Sequence, residues 1–266
     1  MTKALTDLLR PVINIAHTAG DEILKLYHSN FTVTQKPDLT PLTTADIAAH
    51  NVIESSLKAL TPSIPIISEE SKILSYEERR SWSKYWLVDP LDGTREFIKK
   101  SGEFTVNIAL IENNIPVLGV IYTPTTNICY FACKDKPAYK QEKDQTQQKI
   151  CAIHNTQLHN ITVAGSQAQG EKKLSTFMEK LGGHKKICMG SSLKSCMVAE
   201  GIADIYPRFG PTSEWDTAAA QIIVEQAGGQ IVDTNIKSLR YNTKDSLLNP
   251  DFMAIGDTSF DWKRFL

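Results

Sequence analysis

The chain has 266 residues, of which 41% are apolar and 22% are charged. At roughly 150 residues per domain, this length favours one large domain or two modest ones, with a core that needs no disulfide or structural metal for folding. The 29 basic and 30 acidic residues nearly cancel. The composition therefore excludes disordered and fibrous proteins, and it gives no support for binding to a nucleic acid polymer.

The apolar runs and the cysteines bear on the cellular compartment. The run Val117–Tyr122 is far shorter than the roughly 20 residues that span a bilayer, and no charged-then-apolar leader opens the chain. The five cysteines form no C-x-x-C pair, which fits scattered thiols in a reducing compartment. We expect a cytoplasmic protein without a transmembrane segment. Peripheral attachment to the inner face of the membrane and the oligomeric state stay open.

Two helices are predicted at the start of the chain. Apolar residues recur at intervals of three and four from Leu5 to Leu26, which is typical of an amphipathic helix. Because Pro11 interrupts this pattern, the ordered helix is expected to begin near Pro11 and to end at Tyr27. Thr43 is a good N-cap for the second helix, because Asp46 stands three residues later, as in a capping box.

Strand-like apolar runs follow, and most of them are predicted to pair as an antiparallel sheet. Asn113-Asn114 and Pro124–Asn127 are typical hairpin turns. The polar segment Lys134–Lys149 is interpreted as a solvated hairpin or a connection between domains. The predicted strands are Ile64–Ser68, Tyr85–Asp89, Phe104–Glu112, Val117–Thr123 and Ile128–Cys133.

After Lys149 the pattern changes to alternating strands and helices, which predicts an α/β fold with helices on both faces of the sheet. We therefore expect an N-terminal α+β domain over residues 1–150 and a C-terminal α/β domain over residues 151–266. The predicted strands of the second part are Ile161–Ala164, Lys186–Met189, Asp204–Tyr206 and Gln230–Val232, and its predicted helices are Glu171–Leu181, Leu193–Glu200 and Trp215–Gln226.

Four acidic residues stand where a predicted strand ends or a predicted helix begins. Glu69 follows the strand Ile64–Ser68, Asp89 ends the next strand, Asp92 comes three residues later, and Asp216 lies at the start of a helix. Carboxylates in such places are poor core residues, and clustered like charges are costly unless a cation neutralises them. Carboxylate and carbonyl oxygens suit Mg²⁺, whereas no set of cysteines and histidines has zinc spacing.

The turn between the two aspartates adds a second feature. Pro90 fixes its own φ and favours an extended Asp89, so the two carboxylates are expected in a tight turn. Gly93 permits close approach of a ligand. Thr94 begins a predicted helix, Thr94–Lys99, whose free N–H groups suit a phosphate.

Each of these residues also has an ordinary structural interpretation. Glu69 alone is a common loop carboxylate, and Asp89 and Asp92 alone are common turn residues. Asp216 alone is explained as a helix cap, and Asp46 alone as a partner of the helix dipole. Their joint occurrence at the boundaries of elements favours a functional site.

Four motifs in this order resemble the signatures of the inositol monophosphatase-like family of Mg²⁺-dependent, Li⁺-sensitive phosphatases. The resemblance runs from Ala19 to Pro250, nearly the whole chain. The motifs are Pro41-Leu42-Thr43-Thr44-Ala45-Asp46, Ser68-Glu69-Glu70-Ser71, Asp89-Pro90-Leu91-Asp92-Gly93-Thr94 and Trp215-Asp216-Thr217-Ala218-Ala219.

Within the family, the chain looks most like the bacterial 3′(2′),5′-bisphosphate nucleotidases. Inositol-type members usually carry Thr-Asn-Phe after the Gly-Thr pair and an acidic residue shortly before Trp-Asp. Here Arg95-Glu96-Phe97 and Arg208 stand in those regions, with Glu214 directly before Trp215. The segments that match the nucleotidases are Tyr85–Lys99, Gly102–Leu110, Gly190–Lys194 and Tyr206–Thr212.

The resemblance implies a layered α-β-α-β-α sandwich and a site for two or more Mg²⁺ ions. One ion would be held by Glu69, Asp89 and the carbonyl of Leu91, and a second by Asp89, Asp92 and Asp216. Most of these ligands lie in residues 1–150, and Asp216 lies in residues 151–266.

The resemblance also implies how water is activated. Asp46 with Thr94 would orient and deprotonate the attacking water, assisted by Glu69. Two metal ions of this kind clamp the attacking and leaving oxygens of an in-line displacement.

The prediction of the substrate rests on basic and hydroxyl residues in the second part of the chain. Lys194 and Arg208 suit the second phosphate of a bisphosphorylated nucleotide, and Ser191 and Ser192 could donate from the same helix start. The alternative is that Ser192 caps the helix and that Lys194 is solvated. The full set expected to contact the substrate is Gly93, Thr94, Ser191, Ser192, Lys194, Arg208 and Asp216.

The resemblance therefore predicts a Mg²⁺-dependent phosphatase that removes the 3′-phosphate of adenosine 3′,5′-bisphosphate. The same enzyme would also act on 3′-phosphoadenylyl sulfate, and its role would lie in sulfate assimilation. Two alternatives are an inositol or sugar phosphate monoesterase with the same metal site and a non-catalytic protein that binds metal or nucleotide.

Overall fold

The computed structural model describes residues 4–29, 33–35, 41–72, 74–142, 145–166 and 172–266. The helices are α1 (Leu5–Tyr27), α2 (Thr44–Leu60), α3 (Tyr76–Arg79), α4 (Thr94–Ile98), α5 (Lys172–Leu181), α6 (Leu193–Ala199) and α7 (Glu214–Gln226). Short 3-10 turns lie at Leu158–Asn160 and Trp262–Phe265. Within the described part of the chain, none of the helices combines the length and the apolar character that crossing a lipid bilayer requires.

The strands form two large sheets and one small hairpin. The hairpin pairs β1 (Val33–Gln35) with β2 (Pro41–Thr43). The first large sheet contains, in spatial order, β3 (Ile66–Ser68), β4 (Lys84–Asp92), β5 (Thr105–Glu112), β6 (Ile115–Thr123), β7 (Ile128–Cys133), β8 (Tyr139–Gln141) and β9 (Gln148–Lys149). The second large sheet contains β10 (Ile161–Gly165), β11 (His184–Cys188), β12 (Ile205–Arg208), β13 (Gln230–Asp233) and β14 (Phe252–Ile255), in the order β11-β10-β12-β14-β13.

The first sheet is antiparallel except at one edge. β3 runs parallel to β4, and every later neighbour pairs antiparallel. Asn113 and Asn114 both have positive φ, the backbone of a tight hairpin turn, so this predicted turn is confirmed. The segment Lys134–Lys149 adds the short strands β8 and β9 at the far edge, which agrees with the predicted hairpin.

Five layers follow from how the helices cover the two sheets. α1 and α2 pack on one face of the first sheet, over a core that includes Trp86, Val106 and Ile108. α6 and α7 lie between the two sheets, and α5 covers the outer face of the second sheet through Phe177 and Leu181. The predicted α-β-α-β-α sandwich, with helices on both faces of the second sheet, is therefore confirmed.

The first helix differs from the prediction. α1 begins at Leu5, so that Pro11 lies inside it, rather than near its start. An internal proline costs about 3 kcal/mol because it removes one backbone hydrogen bond. Leu8 and Val12 are buried on either side of Pro11, and burial of each such side chain is worth about 1.5–3 kcal/mol. Packing against the first sheet thus stabilises the helical turn that the proline disfavours.

Other elements were missed or misplaced. The sequence pattern predicted neither α3 nor β14, and its strand Lys186–Met189 begins two residues and ends one residue later than β11. Glu171, the predicted first residue of α5, lies outside the described residues.

We propose the division near residue 150 as a description of the chain, since the first sheet ends at Lys149 and the second begins at Ile161. α7 belongs to the second part and nevertheless packs against β5 and β6 of the first sheet. Residues of both parts share one core cluster, so the two parts are closely joined.

Candidate active site

The parallel edge of the first sheet brings Glu69 next to Asp89. Ser68 of β3 is paired with Val88 of β4, so the residues that follow each strand end are neighbours. The N–H of Glu69 donates to the carbonyl oxygen of Val88 at 3.1 Å, which continues the pairing by one residue. Carboxyl ends of parallel strands meet at one edge of a sheet, and here that edge carries two acidic side chains.

An irregularity in β4 brings Asp92 to the same face as Asp89. Asp89 lies opposite Asn107 of β5, and Asp92 lies opposite Thr105, with a register shift between them. Three residue steps on β4 therefore match two steps on β5, so β4 carries one extra residue. Residues two apart on a strand share a face, and a bulge shifts that alternation. Pro90 lies within the shift, where a residue without an N–H is tolerated.

α7 supplies the third carboxylate from the other half of the chain. Asp216 is the third residue of α7, and its Oδ2 accepts a hydrogen bond from the N–H of Ser213 at 2.8 Å. α7 approaches the first sheet closely at Gly119, where a Cβ atom would lie only 2.5 Å from the carbonyl oxygen of Ala219. A glycine at this point of β6 is what allows the helix backbone to come so near.

Glu69, Asp89 and Asp216 form a compact acidic triplet. One carboxylate oxygen of each residue lies within 4.8 Å of such an oxygen in the other two. Asp89 is only 1% exposed, so its charge has little contact with solvent. Three clustered carboxylates with oxygen ligands only are typical of a site for a hard divalent cation such as Mg²⁺.

The electrostatics of the triplet agree with that interpretation. Burial, followed by the charges of Glu69 and Asp92, raises the pKa of Asp89 well above its usual range. Burial and then the charge of Asp92 likewise raise the pKa of Asp216. Burial and the neighbouring like charges both disfavour the ionised forms, and a bound divalent cation would offset both effects.

Asp46 and Thr94 form a hydrogen-bonded pair at the same edge of the sheet. The Thr94 hydroxyl donates to Asp46 Oδ1 at 3.1 Å, and the carbonyl oxygen of Leu91 lies 3.3 Å from the same hydroxyl. Asp46 is the third residue of α2, and its Oδ2 accepts from the N–H of Thr43 at 2.8 Å and from the Thr43 hydroxyl at 2.6 Å. The predicted capping box is therefore present, and it fixes the orientation of the Asp46 carboxylate.

Asp92 is not a member of the acidic triplet, and one of its oxygens has protein partners. Its Oδ2 accepts from the N–H of Ser192 at 2.6 Å and from the Ser192 hydroxyl at 2.8 Å. Ser192 is the N-cap of α6 and is buried. Both donors of this serine thus contact Asp92, although Ser192 was predicted to donate to the substrate.

Residues 189–192, which we call the 189–192 loop, connect β11 to α6. The loop has an unusual backbone, because Ser191 has φ of +45° without being glycine. The N–H of Gly190 donates to Glu103 Oε2 at 2.8 Å, and a Cβ atom on Gly190 would lie 2.7 Å from the Glu103 carbonyl oxygen. The loop is therefore fixed against the segment that precedes β5.

The side chain of Lys194 contacts the backbone of the 189–192 loop. Its side chain is buried, and its Nζ donates to the carbonyl oxygens of Ser191 at 2.6 Å and Met189 at 3.4 Å. The ammonium also lies 5.2 Å from the centre of the Tyr206 ring. Burial lowers the pKa of Lys194, against the opposing charge of Asp92. The expected contact between Lys194 and a phosphate stays a prediction.

Arg208 and Glu214 differ in how accessible their charged groups are to a ligand. Arg208 ends β12 and is partly exposed, and its Nη2 donates to the carbonyl oxygen of Pro211 at 3.1 Å. Its buried Nε makes no hydrogen bond within the described residues. Glu214 is 1% exposed, and its Oε2 accepts from the N–H of Asn242 at 2.8 Å. Burial raises the pKa of Glu214 to about 7, which suits a structural carboxyl group more than a ligand for a substrate.

Three polar residues that line this region were not among the predicted site residues. Thr105, Asn107 and Glu103 contact the 189–192 loop through Ser191, Ser192 and Gly190, respectively. Thr105 and Asn107 alternate with apolar residues in a strand that is buried throughout except at its last residue. Polar residues two apart on a buried strand were the signal that could have identified them.

Comparison with known proteins extends the similarity along the chain. Residues 4–256 match the family described as "Inositol monophosphatase family". The chain is 46% identical over 247 residues to the 3′(2′),5′-bisphosphate nucleotidase CysQ of Salmonella typhimurium, covering 92% of this chain and 98% of that protein. The CysQ of Escherichia coli K12 is 45% identical over 247 residues, with the same two coverages. The crystal structure of CysQ from Bacteroides thetaiotaomicron matches with a TM-score of 0.81 and 38% identity, covering 94% of this chain and 97% of that one.

Proposed function

The chain belongs to the inositol monophosphatase family, and on that premise we propose that it is a 3′(2′),5′-bisphosphate nucleotidase. The reaction removes the 3′-phosphate of adenosine 3′,5′-bisphosphate and gives AMP and phosphate, and 3′-phosphoadenylyl sulfate is a second substrate in sulfate assimilation. The observation that carries the proposal is the acidic triplet with the Asp46–Thr94 pair beside it. The chain that holds this site is 46% identical to the 3′(2′),5′-bisphosphate nucleotidase CysQ of Salmonella typhimurium.

The residues that would hold Mg²⁺ come from both halves of the chain. We assign Glu69, Asp89 and the carbonyl of Leu91 to one ion, and Asp89, Asp92 and Asp216 to a second. The triplet fits such a cation because its three carboxylates lie together, with the charge of Asp89 buried. When bound, the ions supply electrostatic stabilisation to the oxygens of the transferring phosphoryl group.

Asp46 and Thr94 are assigned to the attacking water. The hydroxyl of Thr94 has one proton, which it donates to Asp46 Oδ1, so its lone pairs are left to accept from a water. The two hydrogen bonds from Thr43 orient the Asp46 carboxylate, and Glu69 assists from the adjacent strand end. In this arrangement Asp46 takes the proton of the water through Thr94, as a general base does.

The second phosphate of the substrate is assigned to the 189–192 loop and Arg208. The partly exposed guanidinium of Arg208 suits direct contact with a phosphate, since Arg pairs well with phosphate oxygens. Lys194 acts through the loop, because its ammonium donates to loop carbonyls. Gly93, Thr94, Ser191 and Asp216 remain candidates for contact with the substrate.

The test is release of phosphate from a small panel of substrates, with and without Mg²⁺. The panel contains adenosine 3′,5′-bisphosphate, 3′-AMP and inositol 1-phosphate. We expect Mg²⁺-dependent release that is fastest from the bisphosphate. Faster release from inositol 1-phosphate would favour the inositol-type alternative, and no release from any of the three would favour a non-catalytic binding protein.

A further inference from the structure

Asn107 lies at the centre of a hydrogen-bonded chain that joins the two halves of the site. It is buried on β5, opposite Asp89 in the β4–β5 pairing. Its Nδ2 donates to the Ser192 hydroxyl at 2.8 Å, and its Oδ1 accepts from the Thr105 hydroxyl at 2.9 Å. The Ser192 hydroxyl has a carboxylate oxygen and a carbonyl oxygen beside it that can only accept its proton, so the amide end that faces it is the donating Nδ2.

The direction of these bonds determines what Ser192 can do. A hydroxyl has a single proton, and the Ser192 hydroxyl already accepts from Asn107. That proton is therefore directed at Asp92 Oδ2, 2.8 Å away, or at the carbonyl oxygen of Asp216, 3.0 Å away. Both acceptors belong to residues assigned to the second metal ion. Asp92 Oδ2 is thereby occupied, which leaves its Oδ1 for a ligand.

We infer that Asn107 and the Ser192 hydroxyl are positioning residues for Asp92, and that they set the affinity of the site for its divalent cation. The inference rests on the proposed function, since it takes Asp92 as a metal ligand. It also changes the role of the Ser192 side chain, because that hydroxyl acts on the metal ligand rather than on the substrate. Partners that orient metal ligands in this way typically change metal affinity by about 10- to 100-fold.

The experiment measures Mn²⁺ binding by electron paramagnetic resonance, without any substrate, in four variants of the full chain. We expect Asn107→Ala and Ser192→Ala each to weaken Mn²⁺ binding about 10-fold. Ser192→Thr keeps the hydroxyl and is expected to bind Mn²⁺ like the wild type. The double variant Asn107→Ala/Ser192→Ala should be no weaker than Ser192→Ala alone, because Asn107 acts through that hydroxyl.

A matched control comes from the neighbouring strand. Thr123 on β6 is 2% exposed, and its hydroxyl makes no hydrogen bond within the described residues. Thr123→Val therefore removes a buried hydroxyl from the same sheet without disturbing the chain of bonds, and Mn²⁺ binding should not change. If Asn107→Ala does not fold, the contrast between Ser192→Ala and Ser192→Thr decides the question.

Two results would overturn the inference. The first is a Ser192→Ala variant that binds Mn²⁺ like the wild type and shows only a raised KM for adenosine 3′,5′-bisphosphate. The second is a double variant whose losses in Mn²⁺ affinity multiply, which would mean that the two residues act independently. Because Mn²⁺ binding is measured without substrate, a wild-type protein that binds Mn²⁺ but fails to hydrolyse the bisphosphate would contradict the proposed function alone.

Discussion

The site has a carboxylate side, formed by the acidic triplet, and a loop side, formed by the 189–192 loop and its contacts. The two sides differ in how their charges are compensated. On the carboxylate side, the triplet of Glu69, Asp89 and Asp216 brings like charges together, and the pKa of Asp89 is raised by burial and by its neighbours. On the loop side, the ammonium of Lys194 donates to loop carbonyls, and Glu103 accepts from the N–H of Gly190. A bound cation would compensate the charges of the first side, whereas protein groups compensate those of the second.

This difference indicates how effects of substitution should divide. Substitutions on the carboxylate side remove a group assigned to catalysis and relieve repulsion between like charges, so they should lower activity without lowering stability. Changes on the loop side remove satisfied contacts, so they should alter the shape of the substrate site.

The largest effect is expected for Asp89→Asn. Stabilisation by bound metal is worth several kcal/mol, so turnover should fall by about 10⁴-fold or more at any Mg²⁺ concentration. The variant should nevertheless unfold at a higher temperature than the wild type in metal-free buffer, because burial and the neighbouring carboxylates disfavour the ionised form of Asp89 that the amide replaces. Phosphate release and thermal unfolding in chelator measure the two effects. Near wild-type turnover, or a lower unfolding temperature without metal, would contradict the account.

Thr94→Ala is expected to have the next largest effect. Losing the hydroxyl that links Asp46 to the water should lower kcat by about 100- to 1,000-fold, as for other general-base groups. Mn²⁺ affinity should stay unchanged, because the assigned ligands remain. Thr94→Ser keeps the hydroxyl and serves as the control, with kcat near that of the wild type. A variant whose only defect is a higher Mg²⁺ requirement would show that Thr94 supports the metal instead.

Arg208→Ala and Lys194→Ala separate two roles on the loop side. A contact with the second phosphate is worth roughly 1.5–3 kcal/mol. Arg208→Ala should therefore lower kcat/KM for adenosine 3′,5′-bisphosphate by about 10- to 150-fold, with a much smaller loss on 3′-AMP. Lys194→Ala should lower kcat/KM for both substrates by similar factors, because its ammonium supports the loop. A loss confined to the bisphosphate in Lys194→Ala would show that its ammonium contacts the phosphate directly.

The smallest effect on activity is expected from the packing of α7. In Gly119→Ala, the added methyl group would lie 2.5 Å from the carbonyl oxygen of Ala219, so the helix that carries Asp216 must shift. Overpacking of this kind costs about 1–3 kcal/mol of stability. Gly183→Ala is the control, since nothing lies within 4 Å of its added methyl group. Equal unfolding temperatures for the two variants would show that the close approach of α7 is not required.

Local sequence signals predicted the carboxylate side well. Glu69, Asp89 and Asp216 stand at the ends of elements, and the Thr43–Asp46 capping box is a short-range pattern that the structure contains. Glu69 and Asp89 meet through the parallel pairing of β3 with β4, and Asp216 joins them only because α7 packs on the first sheet. The placement of each residue at the end of an element is thus a short-range signal, whereas the meeting of the three depends on tertiary packing.

The loop side depended on contacts that are distant in the chain. The alternative that Lys194 is solvated is wrong, because the residue is only 7% exposed and its ammonium donates to a carbonyl of the 189–192 loop. Asn107 and Ser192 are 85 positions apart and meet only after the two halves pack together. The start of α1 was missed for a similar reason, since packing on the sheet outweighs the preference set by Pro11.

Anomalous diffraction from crystals soaked in Mn²⁺ tests the central claim most directly. We expect a strong peak among the carboxylates of Glu69, Asp89 and Asp216, with a second peak bounded by Asp89, Asp92 and Asp216. The same soak of Asp89→Asn should show neither peak at full strength. Mn²⁺ bound elsewhere, with the acidic triplet empty at saturating concentration, would contradict the claim.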